Sequence, residues 1–435
     1  MSIVLLILGL LLFIGLVLIH EWGHYITARR GDVDVEEFGL FFPPRIKVLK
    51  RRHGTDFTLN ALPLGGFVRL KGEHDSDTQK GSYGAAPLKT KITIMTAGVV
   101  MNLLVALVMF GLLSLVGMPR LVDDQFVVKS DNRITRQTVL AGLVSKDSPA
   151  QKSGLQQRDE IKSIAQPGTQ AAPLLAAKQL REVTKANAGK KVAVTVKRGG
   201  EELVLYPTLL TEKAVEASKK TNTPQGYLGV IPSEFVVQRA TWSAPVVAVG
   251  TATQFTVLTV KGIGSALAGL GSIVAGTATG NHDARAAGQA KAGAQVSGPL
   301  GIYMVLQYGS SLGLQFILVI IAIVSLTLAI MNILPIPALD GGRLFVTLLF
   351  RWLKKPLTPA LEDRIHGTGF FNELANSLVG VLDEWLVEQA TLSKVLLEHA
   401  FYDLAGDAVR LAFGFNFISE FGGLLVADFG RDIFG

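Results

Sequence analysis

The sequence has no cysteine and is poor in charge. Asp, Glu, Lys and Arg make up 18% of its 435 residues, against about 25% in an ordinary soluble domain. Without cysteine there is no disulfide framework and no thiolate metal site, so any metal must be held by His, Asp or Glu. The shortage of charge goes with a 49% hydrophobic content, which excludes a disordered chain and argues against a fully soluble enzyme. A nucleic-acid partner is also excluded, because the excess of 42 Lys and Arg over 35 Asp and Glu amounts only to +7. In a membrane protein such an excess collects in cytoplasmic loops.

The apolar residues are clustered. Residues 2–19 are apolar apart from Ser2, and about 18 helical residues span roughly 27 Å, enough for a bilayer core. A signal peptide is the weaker reading, since there is neither a basic leader nor a small-residue cleavage site. Residues 92–117 and 314–334 are further spans. The loop from Ala28 to Lys91 carries Arg29, Arg30, Arg45, Lys47, Lys50, Arg51, Arg52, Arg69, Lys71, Lys89 and Lys91, which places it in the cytoplasm and the N-terminus outside. Residues 243–280 are nearly apolar enough to cross, but Lys261 and frequent Gly and Thr favour a helix on the outer surface.

Residues 120–232 read as a soluble domain. Short β-rich runs at 191–198 and 201–210 flank polar helix-like stretches, in the order strand, short helix, strand, helix, strand pair. Ser148-Pro149-Ala150, Gly154-Leu155 and Asp159-Glu160-Ile161 resemble the core of one PDZ domain. Tyr227, Leu228 and Gly229 resemble a PDZ loop that captures a peptide C-terminus. A small αβ domain without a peptide ligand is the plainer reading.

The chemistry begins at His20-Glu21-Trp22-Gly23-His24. On a helix, positions i and i+4 share a face, so two imidazoles reach one ion and Glu21 stands beside them as a base. Two His and a Glu at the end of a span, where each ionisable group costs roughly 2.5–3.5 kcal/mol, need a shared purpose. Neutral imidazoles suit Zn²⁺, and a catalytic zinc takes a third protein ligand. Of the seven histidines, only His366 competes for that role, and nothing places it at depth. The second span has no carboxylate or His. Asp340 is the first ionisable residue after the third span and is the candidate, with helix capping as its plainer role. Pro335 and Pro337 break the helix before it, and Gly341 and Gly342 permit a turn that points the carboxylate back.

Together these motifs resemble the site-2 protease family of intramembrane zinc metalloproteases, of the bacterial regulator of sigma-E protease type, over about residues 1–370. HEWGH and Asn332-Ile-Leu-Pro335-Ile-Pro337-Ala-Leu339-Asp340-Gly341-Gly342 carry the resemblance. Phe41–Ile46, Leu64–Arg69 and Val296–Ile302 add to it. It implies a metalloendopeptidase of the bacterial inner membrane with Glu21 as base and zinc on His20, His24 and Asp340. Glu21 would activate the water that the ion polarises. The substrates are single-pass membrane proteins such as anti-sigma factors or remnant signal peptides. The edge of a β-hairpin at residues 56–72 would hold an unwound substrate through Gly65, Gly66 and Phe67, with Asn332 either donating to the substrate backbone or the developing oxyanion or capping the broken helix. A catalytically inactive PDZ adaptor with a structural zinc site is the alternative. A transporter is disfavoured by the lack of inverted repeats.

The expected fold is a multi-pass α-helical membrane protein with three clear transmembrane helices, a candidate fourth, an inserted extracytoplasmic PDZ-like α+β domain and a membrane-associated β-hairpin loop. Its segments are span one with HExxH (1–30), the hairpin loop (31–91), span two (92–117) and the PDZ-like domain (118–232). Extracytoplasmic surface helices (233–310), span three with the LDG motif (311–342) and a helical C-terminal region (343–435) follow. Residues 371–435 recur in charge too often for an ordinary span and read as amphipathic helices or as a divergent last span.

Overall fold

The computed structural model describes residues 2–122, 124–219, 224–293, 305–306, 309 and 312–367. The expectations for residues 371–435 and for the segment 296–302 lie outside the described residues. The described residues fall into two compact units, 1–73 with 77–256 and 305–333, and 74–76 with 257–304 and 334 onward.

In the first unit, the apolar N-terminal run and HEWGH form one continuous helix, α1 (Ser2–Arg30). Ile3, Val4, Ile7 and Leu11 are exposed on it, as suits side chains that face lipid. The second helix, α2 (Leu88–Val116), begins four residues before the apolar run expected at 92. Lys91 explains the difference. It is fully buried within the helix, and its Nζ donates to the Gly84 carbonyl at 2.7 Å and lies 5.2 Å from the Tyr83 ring centroid. The helix α8 (Leu314–Ile333) ends just before Pro335, as the prolines predict. Phe110 and Leu113 of α2 pack with Val319, Ala322 and Leu326 of α8 in one apolar cluster.

Between α1 and α2 run two long antiparallel strands, β1 (Val35–Arg52) and β2 (Thr55–Leu70). Each strand bends midway, so the pair is not a plain hairpin. Leu40 lies opposite both Gly66 and Leu59, and Glu37 lies opposite both Arg69 and Asp56. The segments therefore lie side by side in the order 66–70, 35–40, 56–59, 45–52. The expected binding edge at 56–72 is thereby narrowed. Residues 56–59 are flanked on both sides, whereas among the described residues 66–70 are paired on one side alone and lie outermost.

The αβ domain is a six-stranded sheet. β3 (Met118–Pro119), β8 (Val230–Arg239), β4 (Arg133–Val144), β5 (Glu160–Ala165), β6 (Ala193–Arg198) and β7 (Glu201–Leu205) are adjacent in that order. α3 (Pro149–Lys152), α4 (Ala177–Ala186) and α5 (Glu212–Ser218) accompany it, over a core of Val139, Ile161, Leu180, Val194 and Val196. The expected order of strands and helices from β4 to β7 is observed. The boundary drawn at 232 cuts β8, which runs on to Arg239 and pairs with β4 along its length. Asp131 then anchors the next helix, α6 (Ala244–Thr279), accepting hydrogen bonds from Thr241 N at 2.8 Å and Ser243 N at 2.9 Å.

At 36 residues and with mean hydropathy 1.6, α6 meets the length and apolarity of a span, where the sequence reading puts a surface helix. A single charge, Lys261, does not take the helix below that level. α1, α2, α6 and α8 are the four such helices among the described residues, and the chain is a multi-pass membrane protein.

In the second unit, α7 (His282–Gly293) packs closely on the last part of α6. A Cβ on Gly288 would lie 2.7 Å from the Gly269 carbonyl oxygen. The helix α9 (Asp340–Trp352) and the segment after it share a small apolar core of Val346, Phe350 and Leu357. Residues 74–76 are fastened there, with His74 Nε2 2.8 Å from Asp363 Oδ1 and Asp75 N donating to Glu362 Oε2 at 3.0 Å.

Candidate metal centre

The two histidines of HEWGH share one face of α1 and are both buried. Their Nε2 atoms lie 3.2 Å apart. His24 Nδ1 lies 2.8 Å from the Ile94 carbonyl oxygen of α2, an acceptor only. Its proton is therefore on Nδ1, and Nε2 keeps a lone pair directed at His20. This is the usual arrangement of a metal-ligating imidazole, with the far nitrogen donating to a fixed oxygen.

Small residues make this approach feasible. A Cβ on Gly23, inside the motif, would lie 2.8 Å from the Ala97 carbonyl oxygen, so α1 and α2 touch backbone to backbone. A Cβ on Gly98 would lie 2.5 Å from His20 Nδ1 and 2.6 Å from His24 Nε2. The imidazoles thus occupy the space that a side chain at 98 would fill. Asn102, one turn further along α2 and fully buried, places Nδ2 3.3 Å from His20 Nδ1. In the sequence Asn102 stands out merely as the most polar side chain of the run 92–117. The four-residue spacing of Gly98 and Asn102, matching that of His20 and His24, was the available signal.

The strand pair is held against α1 by aromatic rings. Trp22 stacks on Tyr25 at 5.0 Å, and Tyr25 meets Phe38 and Phe57 edge-on at 6.0 and 5.7 Å. This docking brings the edge segment to the HEWGH motif. A Cβ on Gly66 would lie 3.6 Å from Glu21 Cγ and 3.5 Å from Leu18 Cδ2. Gly65 has φ +158°, and Phe67 stacks on Phe42 at 6.4 Å. Glu37 locks the segments together, accepting from Thr58 Oγ1 at 2.7 Å, Arg45 Nε at 3.1 Å and Arg69 Nη2 at 2.6 Å. Burial opposes its ionisation, but these hydrogen bonds and the charges of Arg69 and Arg45 hold its carboxyl below the usual range.

Asn332 is the next-to-last residue of α8 and half-buried. In the second unit, Asp340 is the first residue of α9, with Leu339 as the capping residue, so the plainer capping role does not apply. The turn before it is made differently from the expectation. Gly341 and Gly342 are helical, and Ala338 supplies the left-handed residue at φ +74°. Gly342 is needed instead for close packing, because a Cβ there would collide with the Ile336 carbonyl. His366 lies in the same unit, where burial first and the charge of Arg343 second push its pKa down to about 4.

In the αβ domain, the carbonyls of Tyr227, Leu228 and Gly229 accept from Leu210 N, Ala150 N and Ser145 N at 2.8, 2.9 and 2.9 Å. Gly229 has φ +78°, and its Cβ would collide with Ser148. On its outer side β8 pairs with β3 only at Val237 and Gln238.

Comparison with known proteins agrees with this chemistry. The chain matches the model of peptidase family M50 over residues 8–375. It belongs to that family, the site-2 proteases, and is a metalloendopeptidase. It is similar to a protein of Clostridium acetobutylicum named as a zinc metalloprotease, 28% identical over 378 residues that cover 86% of this chain and 94% of that one. A Clostridium perfringens protein so named is 28% identical over 365 residues, covering 84% and 93%. One from Nostoc is 29% identical over 365 residues, covering 81% and 88%.

Proposed function

We propose that this protein is a zinc-dependent intramembrane protease that hydrolyses peptide bonds within the transmembrane segment of single-pass membrane proteins, of the anti-sigma-factor or remnant-signal-peptide kind. The observation that carries the reading is the convergence of His20 Nε2 and His24 Nε2 to 3.2 Å, with the strand edge at Gly66 running past the neighbouring Glu21. The donor set fits zinc: two neutral imidazoles, one already polarised by a carbonyl. His20, His24 and Asp340 hold the ion. Asp340 is assigned by elimination and by its motif, since the second span offers no carboxylate or imidazole.

When bound, zinc supplies Lewis acidity to the attacking water and the scissile carbonyl. The residues supply the rest. A transmembrane helix hides its peptide bonds in its own hydrogen bonds and must unwind before it is cut. The 66–70 edge receives the unwound segment as an added strand, with Gly65, Gly66 and Phe67 closest to it. Gly66 carries no side chain, which leaves room for that segment beside Glu21. The Glu21 carboxylate takes the proton of the attacking water and returns it to the departing nitrogen. Asn332 donates to the substrate backbone or the oxyanion.

The basic loop faces the cytoplasm of the bacterial inner membrane, and the N-terminus and αβ domain face outward. That domain takes a peptide C-terminus at Tyr227, Leu228 and Gly229. Among the described residues no strand pairs with β8 on that side before Val236, which suits strand addition there.

An inactive adaptor with a structural zinc site needs no base. Glu21→Gln should abolish cleavage of a reconstituted single-pass substrate while zinc, measured by elemental analysis, stays bound. Asp340→Ala should lower zinc occupancy. Cleavage by the Glu21 variant sinks the mechanism, and full occupancy in the Asp340 variant removes that ligand.

A further inference from the structure

His24 has its proton fixed by the Ile94 carbonyl. To offer Nε2 to an ion, His20 must carry its proton on Nδ1. The group facing that nitrogen is the side-chain amide of Asn102, 3.3 Å away. An amide presents a donor or an acceptor at the same place by a half-turn about its Cβ–Cγ bond. With Nδ2 toward the imidazole, Oδ1 is buried and has no hydrogen-bond partner among the described residues. Turned the other way, the oxygen accepts the Nδ1–H of His20, and Nδ2 takes the place that Oδ1 leaves. The backbone of Asn102 is itself fixed, because Ser325 Oγ of α8 donates to its carbonyl at 2.8 Å.

We infer that Asn102 is a positioning residue of the metal centre. Its amide oxygen holds His20 in the Nδ1–H tautomer and so aims Nε2 at the ion. It acts through His20 and does not touch substrate. The inference rests on the proposed metal-binding role of the HEWGH motif. It also gives the fully buried Asn102 a chemical reason to be there.

The test is zinc affinity of the purified full-length protein, measured by competition with a chelator, for the wild type, Asn102→Asp and Asn102→Leu. Asp keeps an acceptor oxygen at the same reach, and Leu keeps the volume without one. Asn102→Leu should weaken zinc binding by about 10–100-fold, and Asn102→Asp should keep it near the wild-type value. A packing role gives the reverse order, since Leu suits an apolar bundle and a buried Asp does not. That reverse order, or equal affinity in all three proteins, overturns the inference. Should the Asp variant not fold, ¹⁵N spectra of the histidine-labelled, zinc-loaded wild type decide, with His20→Gln giving the assignment. A protonated Nδ1 on His20 supports the inference, and zinc on Nδ1 refutes it. His20→Ala and His24→Ala separate the two levels. If both bind zinc as the wild type does, the metal-centre reading has failed and this inference with it.

Discussion

Gly98 of α2 lies against the His20 imidazole, so closely that a Cβ on it would sit 2.5 Å from His20 Nδ1. The same atom would lie 2.6 Å from His24 Nε2. Gly98 is helical, so Gly98→Ala brings no backbone strain, and alanine favours the helix by about 1 kcal/mol. The damage falls on the imidazoles. A displacement of about 1 Å at such a centre costs on the order of 100-fold in rate. Gly98→Ala should therefore lower zinc affinity and cleavage together while the melting temperature holds or rises. Gly15→Ala is the control, because its Cβ meets nothing within 4 Å. Equal activity in the two variants would show that the imidazoles move aside without consequence.

Gly66 offers a separate handle on substrate. A Cβ there stands 3.1 Å from the Gly39 carbonyl oxygen and 3.6 Å from Glu21 Cγ, tight but not colliding. Gly66→Val narrows the space beside the base without touching the histidines. The expected result is a KM raised about tenfold, the cost of roughly 1.4 kcal/mol of binding, with zinc content unchanged. Steady-state cleavage of a reconstituted substrate reads both parameters. An unchanged KM would move the substrate away from this edge.

The contrast between these two glycines shows what the sequence could reveal. The spacing of His20, Glu21 and His24 states a face of a helix directly, and the apolar runs state α1, α2 and α8 with errors of a few residues. Gly98 and Asn102 were not legible as partners, because their role depends on how closely two helices approach, and period alone does not say which residue faces which. Gly341 and Gly342 misled for a related reason. Glycine signals either a turn or a close contact, and here Gly342 serves contact with Ile336 while Ala338 makes the turn. The doubled pairing of residues 35–40 was invisible because β-propensity carries no register.

Asp131 gives a pH dependence with a definite sign. Its buried carboxylate would by itself resist ionisation, yet hydrogen bonds from the side chains and backbones of Thr241 and Ser243 hold its pKa far below the usual range. A group depressed in the folded state stabilises fully above its unfolded value, about 3.9, and loses that contribution as pH falls through and below it. Asp131→Asn should lower the melting temperature at pH 7, and the gap to wild type should shrink as pH falls from about 5 towards 3. A gap independent of pH would mean that the α6 N-terminus is held by shape alone.

His366 carries the opposite kind of group, a base kept neutral by burial. Neither of its ring nitrogens has a hydrogen-bond partner among the described residues, and its pKa stands at about 4, lowered by burial and then by Arg343. The unfolded chain takes up this proton near pH 6.5, so between that value and about 4 it binds more protons than the folded protein. Stability should therefore be flat above about pH 6.5 and fall as pH is lowered toward 4. His366→Gln should flatten that acid limb in thermal unfolding, because the glutamine does not titrate. The same variant should keep its full zinc content, as the proposed ligand set of His20, His24 and Asp340 requires. Loss of zinc from it would make His366, and not Asp340, the third ligand.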